Sequence, residues 1–317
     1  FLPPVVSIIY DLIPLINPNN YLENDQEYKD FYYQKIKDLN RLDALLTISE
    51  SSKNEILQHT NFREDQVFNI SASCDRNLFN EEIINCSDFS INLQALGKFL
   101  LYVGALDPRK NLYSLIKAYS LLPKNLLLKH RLVLVGPYSK LEVILLHKWI
   151  HELNLSVQDI TILTFISDHD LVNLYRACYL FIFPSYHEGF GLPVLEAINC
   201  GAPVIATNTT SVPEIINLKS ALFDPYSIDQ IKSLMIKALN DFDFYQLLKK
   251  NSRLRKDKFS WELTSSKVIS AFKEIITSLY SSFEETKLKY SINDIDEKNY
   301  DLLVSRLSKN NIFKSLS

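Results

Sequence analysis

Two hydrophobic periodicities take turns along this chain. Short apolar runs without polar alternation are bounded by turn residues, and longer segments carry apolar positions every three or four residues. The first runs are Val5–Tyr10, Ala44–Ile48 and Val67–Ser71. After residue 98 come Phe99–Val103, Arg131–Val135, Ile160–Thr164, Tyr179–Phe183, Pro203–Ala206 and Ala221–Phe223. Uninterrupted runs fit strands covered on both faces, the condition of a parallel sheet, and Val5–Tyr10 is expected to be one such buried strand. Between them, Tyr28, Tyr32, Ile36 and Leu39 form an apolar stripe that predicts a helix from Gln26 to about Leu42. Further helices are expected over Leu112–Leu122, Leu141–Leu153 and Gln230–Leu239, and Phe259-Ser-Trp261 opens a last one. Ser49 is placed to cap the helix that follows the second run, with Ser52-x-x-Glu55 as a possible capping box in the same turn. Strands alternating with helices predict an α/β fold with parallel sheets.

The same pattern divides the chain. Six candidate strands fall in residues 96–257 and about three in residues 1–95. The polar, irregular segment Asn80–Leu96 reads as the linker, and residues 258–317 read as a terminal helix with a charged tail. At 317 residues there is room for two ordinary domains. Hydrophobic residues make up 47% and charged ones 22%, as in water-soluble globular proteins, and a net charge of −3 gives no electrostatic case for a nucleic-acid partner. Cys74, Cys86, Cys178 and Cys200 form no C-x-x-C pair, so reduced thiols in a cytoplasmic protein are expected, with no metal site. No apolar run approaches the roughly 18 residues of a spanning helix. Lys29, Lys35, Lys37 and Arg41 decorate the Gln26–Leu42 helix, but Glu27, Asp30 and Asp38 dilute them. A core helix with a solvated face is expected there, so that membrane contact is at most peripheral.

Chemistry concentrates between Phe183 and Glu214. A strand ends at Pro184, a loop carries Gly189 and Gly191, and Pro193 suits the first turn of a helix. The chain has only 6 glycines, and Gly189, Gly191 and Gly201 all lie in this stretch. Glycines there let the backbone turn sharply and approach a ligand. A helix start after such a loop presents free N–H groups and partial positive charge, an anion site. Glu188 in the loop and Glu196 on the helix suit hydroxyl groups attached to that anion, as in the sugar and ribose of a nucleotide-sugar. The competing reading is a plain βαβ turn with two solvated glutamates. Earlier, Gly104-Ala-Leu-Asp-Pro-Arg-Lys-Asn111 links the first strand and helix of the second unit. In an open α/β sheet this loop and the Gly189 loop face one crevice, where Arg109 and Lys110 could hold a diphosphate.

The run Glu188-Gly-Phe-Gly-Leu-Pro-Val-Leu-Glu196, with Pro184-Ser before it and Gly201-x-Pro-Val-Ile-Ala-x-Asn after it, resembles the E-x7-E signature of retaining glycosyltransferases of family 4. That large family includes sucrose synthase-like enzymes and bacterial mannosyltransferases. The resemblance implies a GT-B architecture, two facing Rossmann-like domains, of which residues 1–95 match only the later half of the first. A piece of a longer enzyme is therefore expected. It implies that Arg109, Lys110 and the Gly189, Phe190, Gly191 and Leu192 backbone hold the donor diphosphate, that Glu188 holds the transferred sugar as the catalytic carboxylate, and that Glu196 holds the ribose. Phe165-Ile-Ser-Asp-His-Asp170 is similar to the family segment whose backbone meets the base, which points to Phe165 and Ile166. Tyr10-Asp-Leu-Ile-Pro-Leu15 is similar to an acceptor-side loop, with Asp11 as its candidate and Tyr10 where many members have histidine. Equally, Asp11 could cap the turn that ends a strand.

The activity so implied is metal-independent transfer of a hexosyl group, without a cofactor, from a nucleotide-diphosphate sugar to a saccharide or lipid-linked acceptor. His187 lacks a second His or Cys at ligand spacing and reads as a loop residue near the donor. Asp241-Phe-Asp243, outwardly a metal-binding D-x-D, reads as charge at a helix end. Two other functions compete: a nucleotide-sugar-binding module without turnover, and a sugar-nucleotide epimerase on the same architecture.

Overall fold

A computed structural model describes residues 3–82 and 91–290, with backbone only for 282–290. Strands β1 (Val6–Ile9), β2 (Ala44–Thr47) and β3 (Val67–Asn69) form a three-stranded sheet in that order, all parallel. A second, six-stranded parallel sheet has the order β6-β5-β4-β7-β8-β9. Its strands are β4 (Phe99–Val103), β5 (Arg131–Gly136), β6 (Ile160–Thr164), β7 (Leu180–Phe183), β8 (Val204–Thr207) and β9 (Leu222–Phe223). Strand order runs outward from β4 in one direction and outward from β7 in the other. The crevice beyond the carboxyl ends of β4 and β7 is therefore the point where winding reverses, the place an open parallel sheet offers a ligand.

The central strands explain their sequence. Every residue of β7 and β8, and all of β4 but Val103, is buried, which is why these runs show no polar alternation. Tyr102, Tyr119, Tyr175, Phe181 and Phe183 are fully buried in this core. The Tyr119 hydroxyl donates to the His130 carbonyl at 2.8 Å, so the polar tip of that ring is satisfied. Helices that cover and connect the sheets include α1 (Gln26–Leu39), α2 (Glu50–His59), α3 (Leu112–Ser120), α4 (Lys140–Glu152), α5 (Asp168–Ala177), α6 (Leu192–Asn199), α7 (Ile228–Asn240), α8 (Phe242–Arg255) and α9 (Trp261–Tyr290). Asp241 accepts from the Phe244 N–H at 2.9 Å and so caps α8. Helix α9 returns to the small sheet, where Ala271 and Val268 pack with Leu46 and Ile70. No helix of the described residues is long and apolar enough to cross a membrane.

Three expectations need correction. Among the described residues strand β1 is not buried: it pairs with β2 alone, and Val5 and Ile8 are 54% and 48% exposed. Helix α1 is not a core helix either; none of its residues is buried, and Tyr28 and Phe31 are exposed. Finally, Ser52 and Glu55 form no capping box. Ser49 caps α2, accepting from the Ser52 N–H, while Glu55 turns to His187 in the other half of the molecule. Of the linker expected over Asn80–Leu96, residues 83–90 lie outside the described residues, as do Cys86 and the charged tail beyond residue 290.

Candidate functional site

The crevice between β4 and β7 is furnished by two loops. After β4, Asp107 accepts from the Arg109 N–H at 2.9 Å and opens a single 3-10 turn, Pro108–Lys110. Asn111 closes that turn in the left-handed region, at φ 55°. Its side-chain amide donates to the carbonyls of Pro184 (3.0 Å) and Pro225 (2.8 Å), which ties together the loops after β4, β7 and β9. Arg109 and Lys110 are thereby aimed at the β7 loop. Lys110 Nζ lies 2.6 Å from Glu188 Oε1, and Arg109 Nη1 lies 2.9 Å from Glu188 Oε2. Each carboxylate oxygen thus serves one cation.

This is a buried cluster rather than a surface pair. Glu188 is 6% exposed and Lys110 9%. Lys110 Nζ also stands 5.3 Å from the Phe183 ring centre, a cation–π distance. Burial works against the charge of Arg109, but Glu188 and Asp107 outweigh it and hold the guanidinium above its ordinary range. The loop itself is pinned by hydroxyls. Thr210 Oγ1 accepts from the Glu188 N–H (3.1 Å), and Ser211 Oγ reaches the carbonyls of Glu188 (2.9 Å) and Phe190 (2.6 Å).

The two loop glycines do different jobs. Gly191 has φ 105° and serves as the N-cap of α6, so it makes the sharp turn expected of both. Gly189 is not in that region. A Cβ there would stand 2.6 Å from the Tyr10 carbonyl oxygen and 3.0 Å from Asp11 Cβ. Its missing side chain admits the strand-ending loop of the small sheet, a close approach made by the protein's own backbone. Asp11 accordingly lies against the candidate site, and its Oδ1 also accepts from the Ile13 N–H at 3.0 Å, capping the turn.

Glu196 sits on α6, where its Oε2 accepts the Tyr175 hydroxyl at 3.0 Å. Burial raises its pKa above the ordinary carboxylate value, with the Tyr175 bond opposing. A folded-state pKa above the unfolded one means this group favours folding at low pH and loses that contribution as pH rises through the raised value. Glu196→Gln is therefore expected to melt at least as high as the parent near neutral pH, with the difference shrinking in acid. If Glu196 holds a ribose, Glu196→Ala should at the same time weaken a free nucleotide by about 1.5–3 kcal/mol, readable by calorimetry. Stability held or gained together with affinity lost would mark a group kept for binding.

Phe165 and Ile166 lie just beyond the carboxyl end of β6, two strands from the Glu188 cluster; Phe165 is 76% exposed, with φ 50°. The structure also brings in residues that sequence reasoning treated only as local. His187 Nε2 is 2.8 Å from Glu55 Oε1, Ser49 Oγ is 2.6 Å from the Gly189 carbonyl, and Tyr21 donates to Asp107 at 2.6 Å. Glu214 accepts from the N–H groups of Glu50 and Ser51, at the start of α2. Ser49 and Glu55 were expected only as helix-capping residues and His187 as a loop residue near the donor, while nothing in the linear sequence signalled the contacts of Tyr21 and Glu214.

With this geometry established, the known proteins can be compared. The profile of "Glycosyl transferases group 1" matches residues 87–255, more than half of the chain. The chain belongs to the group 1 glycosyltransferases. The serotype-specific mannosyltransferase WbdA of Escherichia coli is 36% identical over 288 residues, which cover 89% of this chain and 34% of that protein. The O-antigen chain mannosyltransferase B of Escherichia coli is 32% identical over 230 residues, covering 72% of this chain and 60% of its own length. This chain therefore spans about a third of the first relative and three fifths of the second. A sucrose-phosphate synthase from Thermosynechococcus elongatus superposes with a TM-score of 0.71 at 21% identity, over 86% of this chain and 68% of that one. The two parallel sheets of this group 1 glycosyltransferase are thus a GT-B architecture.

Proposed function

We propose that this chain is the donor-binding part of a retaining family 4 glycosyltransferase, which moves a mannosyl group from a nucleotide-diphosphate sugar to a saccharide or lipid-linked acceptor without a metal ion. The carrying observation is the convergence of Arg109, Lys110 and Glu188 at the β4–β7 crevice. Two mannosyltransferases among its relatives support the choice of sugar.

In this reading the bond from the sugar's anomeric carbon to the diphosphate breaks, and negative charge grows on the leaving oxygen. Arg109, Lys110 and the N–H groups of the Gly189–Leu192 loop stabilise it in a site that is already desolvated. The acceptor hydroxyl attacks from the face the diphosphate leaves. Its proton passes to a phosphate oxygen of the donor, so no protein base is required. Glu188 holds hydroxyls of the transferred sugar, Glu196 the ribose, and Phe165 and Ile166 flank the base. Asp11 stands on the acceptor side.

Calorimetry with UDP, GDP and ADP, with and without chelator, tests the donor half. At least one should bind, with unchanged affinity in chelator; no binding, or strict dependence on Mg²⁺ or Mn²⁺, overturns it. Sugar transfer from the matching nucleotide-sugar then separates an enzyme from a binding module.

A further inference from the structure

Ser49 Oγ stands within hydrogen-bond reach of three groups, the Ser52 N–H, the Ser52 hydroxyl (3.1 Å) and the Gly189 carbonyl, the shortest of the three, and helix capping explains only the first. It accepts the Ser52 N–H at 3.0 Å, which closes the first turn of α2. That duty uses a lone pair. The hydroxyl proton is directed elsewhere, to the carbonyl of Gly189 at 2.6 Å, 140 residues along the chain. Ser52 Oγ is also within reach of that carbonyl, at 3.1 Å, but lies 2.9 Å from the Tyr10 carbonyl and has one proton to give. Gly189 therefore depends chiefly on Ser49. Both serines are 1% exposed, so water does not substitute for them.

Gly189 lies in the middle of the loop assigned above to the diphosphate. Its neighbours' carbonyls, those of Phe190 (2.6 Å) and Glu188 (2.9 Å), share the single hydroxyl proton of Ser211 from the large-sheet half. The central carbonyl is taken from the opposite side, by the small-sheet half. Three consecutive peptides are thus oriented by buried hydroxyls. A trans peptide points its C=O and N–H in opposite directions, so fixing the Gly189 carbonyl toward α2 fixes the Phe190 N–H away from it. Phe190 as a residue is 4% exposed, and among the described residues no acceptor is paired with its N–H. An unpaired buried N–H is costly unless something else completes it.

We propose that Ser49 is a positioning residue for the donor site: its hydroxyl proton orients the Gly189–Phe190 peptide so that the Phe190 N–H faces the donor diphosphate. A residue of one half thereby completes the anion site of the other. The proposal rests on the donor-site reading above, and the test keeps the two apart.

Capping and positioning separate in the pair Ser49→Gly and Ser49→Ala. Glycine is a tolerable cap and alanine is not, yet both lack the hydroxyl. Binding of UDP, GDP and ADP is measured by calorimetry alongside thermal melting, with Ser49→Thr as the conservative variant and Lys110→Ala as the control. Both hydroxyl-less variants should weaken the best-bound nucleotide by roughly tenfold, the effect of one hydrogen bond, whatever their melting temperatures. Ser49→Thr should restore affinity; if it does not fold, the glycine–alanine pair decides alone. Parental affinity in Ser49→Gly, with Lys110→Ala still weakening the nucleotide, overturns the positioning role and leaves the donor site standing. If the unmodified chain binds none of the three nucleotides, both fall.

Discussion

Lys110→Met should cost more than any other single change at the donor site: sugar transfer lower by about 10²–10³-fold, the range for losing one preorganised group that meets charge in the transition state. Methionine keeps most of the length and the apolar stem of Lys110 and can leave its sulfur near the Phe183 ring that Nζ faces, so the missing charge dominates. Lysine here is a point charge 2.6 Å from Glu188, in a slot that leaves its side chain 11% exposed. A planar guanidinium would need more room, so Lys110→Arg should not rescue. Arg109 is a useful internal comparison. Its side chain is 25% exposed and water can partly replace it, so Arg109→Ala should do less damage. Single-turnover rates with the matching nucleotide-sugar would check the order. If the arginine matters more than the lysine, the diphosphate lies nearer the solvent side of the cluster than proposed here.

Much of this site was visible in the chain before any coordinates, for a definite reason. Parallel strands buried on both faces write themselves as unbroken apolar runs, and the loops at their carboxyl ends must then share a crevice. That logic placed the loop of Arg109 and Lys110 in one crevice with the loop of Glu188, 79 and 78 positions along the chain, and the ion pairs lie there. It failed where cover, not periodicity, decides. Val5–Tyr10 has the composition of an inner strand, and among the described residues it has one neighbour, β2. The stripe of α1 likewise marked a face without saying what would cover it.

The seam between the two halves was the least legible part. Glu55 and His187 stand 132 positions apart, and each has an adequate local explanation as a cap or loop residue. Gly189 shows the same limit. A glycine two residues before another suggests a turn, whereas this one is required by the Tyr10 carbonyl arriving from the other half. Local chemistry exhausts its explanation at such positions, and only the docked halves supply the rest.

Glu188→Gln separates substrate contact from charge balance. Transfer should fall by about 10²-fold, because the carboxylate assigned to the sugar hydroxyls is gone. Bare nucleotide carries no sugar and loses no contact. It also no longer competes with a carboxylate for Arg109 and Lys110, so its affinity should be unchanged or tighter. The folded chain should pay for this. Removing one partner of a buried charge cluster leaves Lys110 without its carboxylate and Arg109 with Asp107 alone, at a cost of about 3 kcal/mol, the low end of the usual range because Arg109 also keeps some solvent. A bound diphosphate restores that balance. The variant should therefore melt lower than the parent alone, yet gain more from saturating nucleotide, since a ligand stabilises in proportion to its affinity for the folded state. Thermal melts with and without the nucleotide, beside calorimetry, read both quantities. Should Glu188→Gln weaken bare nucleotide as much as Glu196→Ala does, the sugar and ribose roles are misassigned, even with the family and fold unchanged.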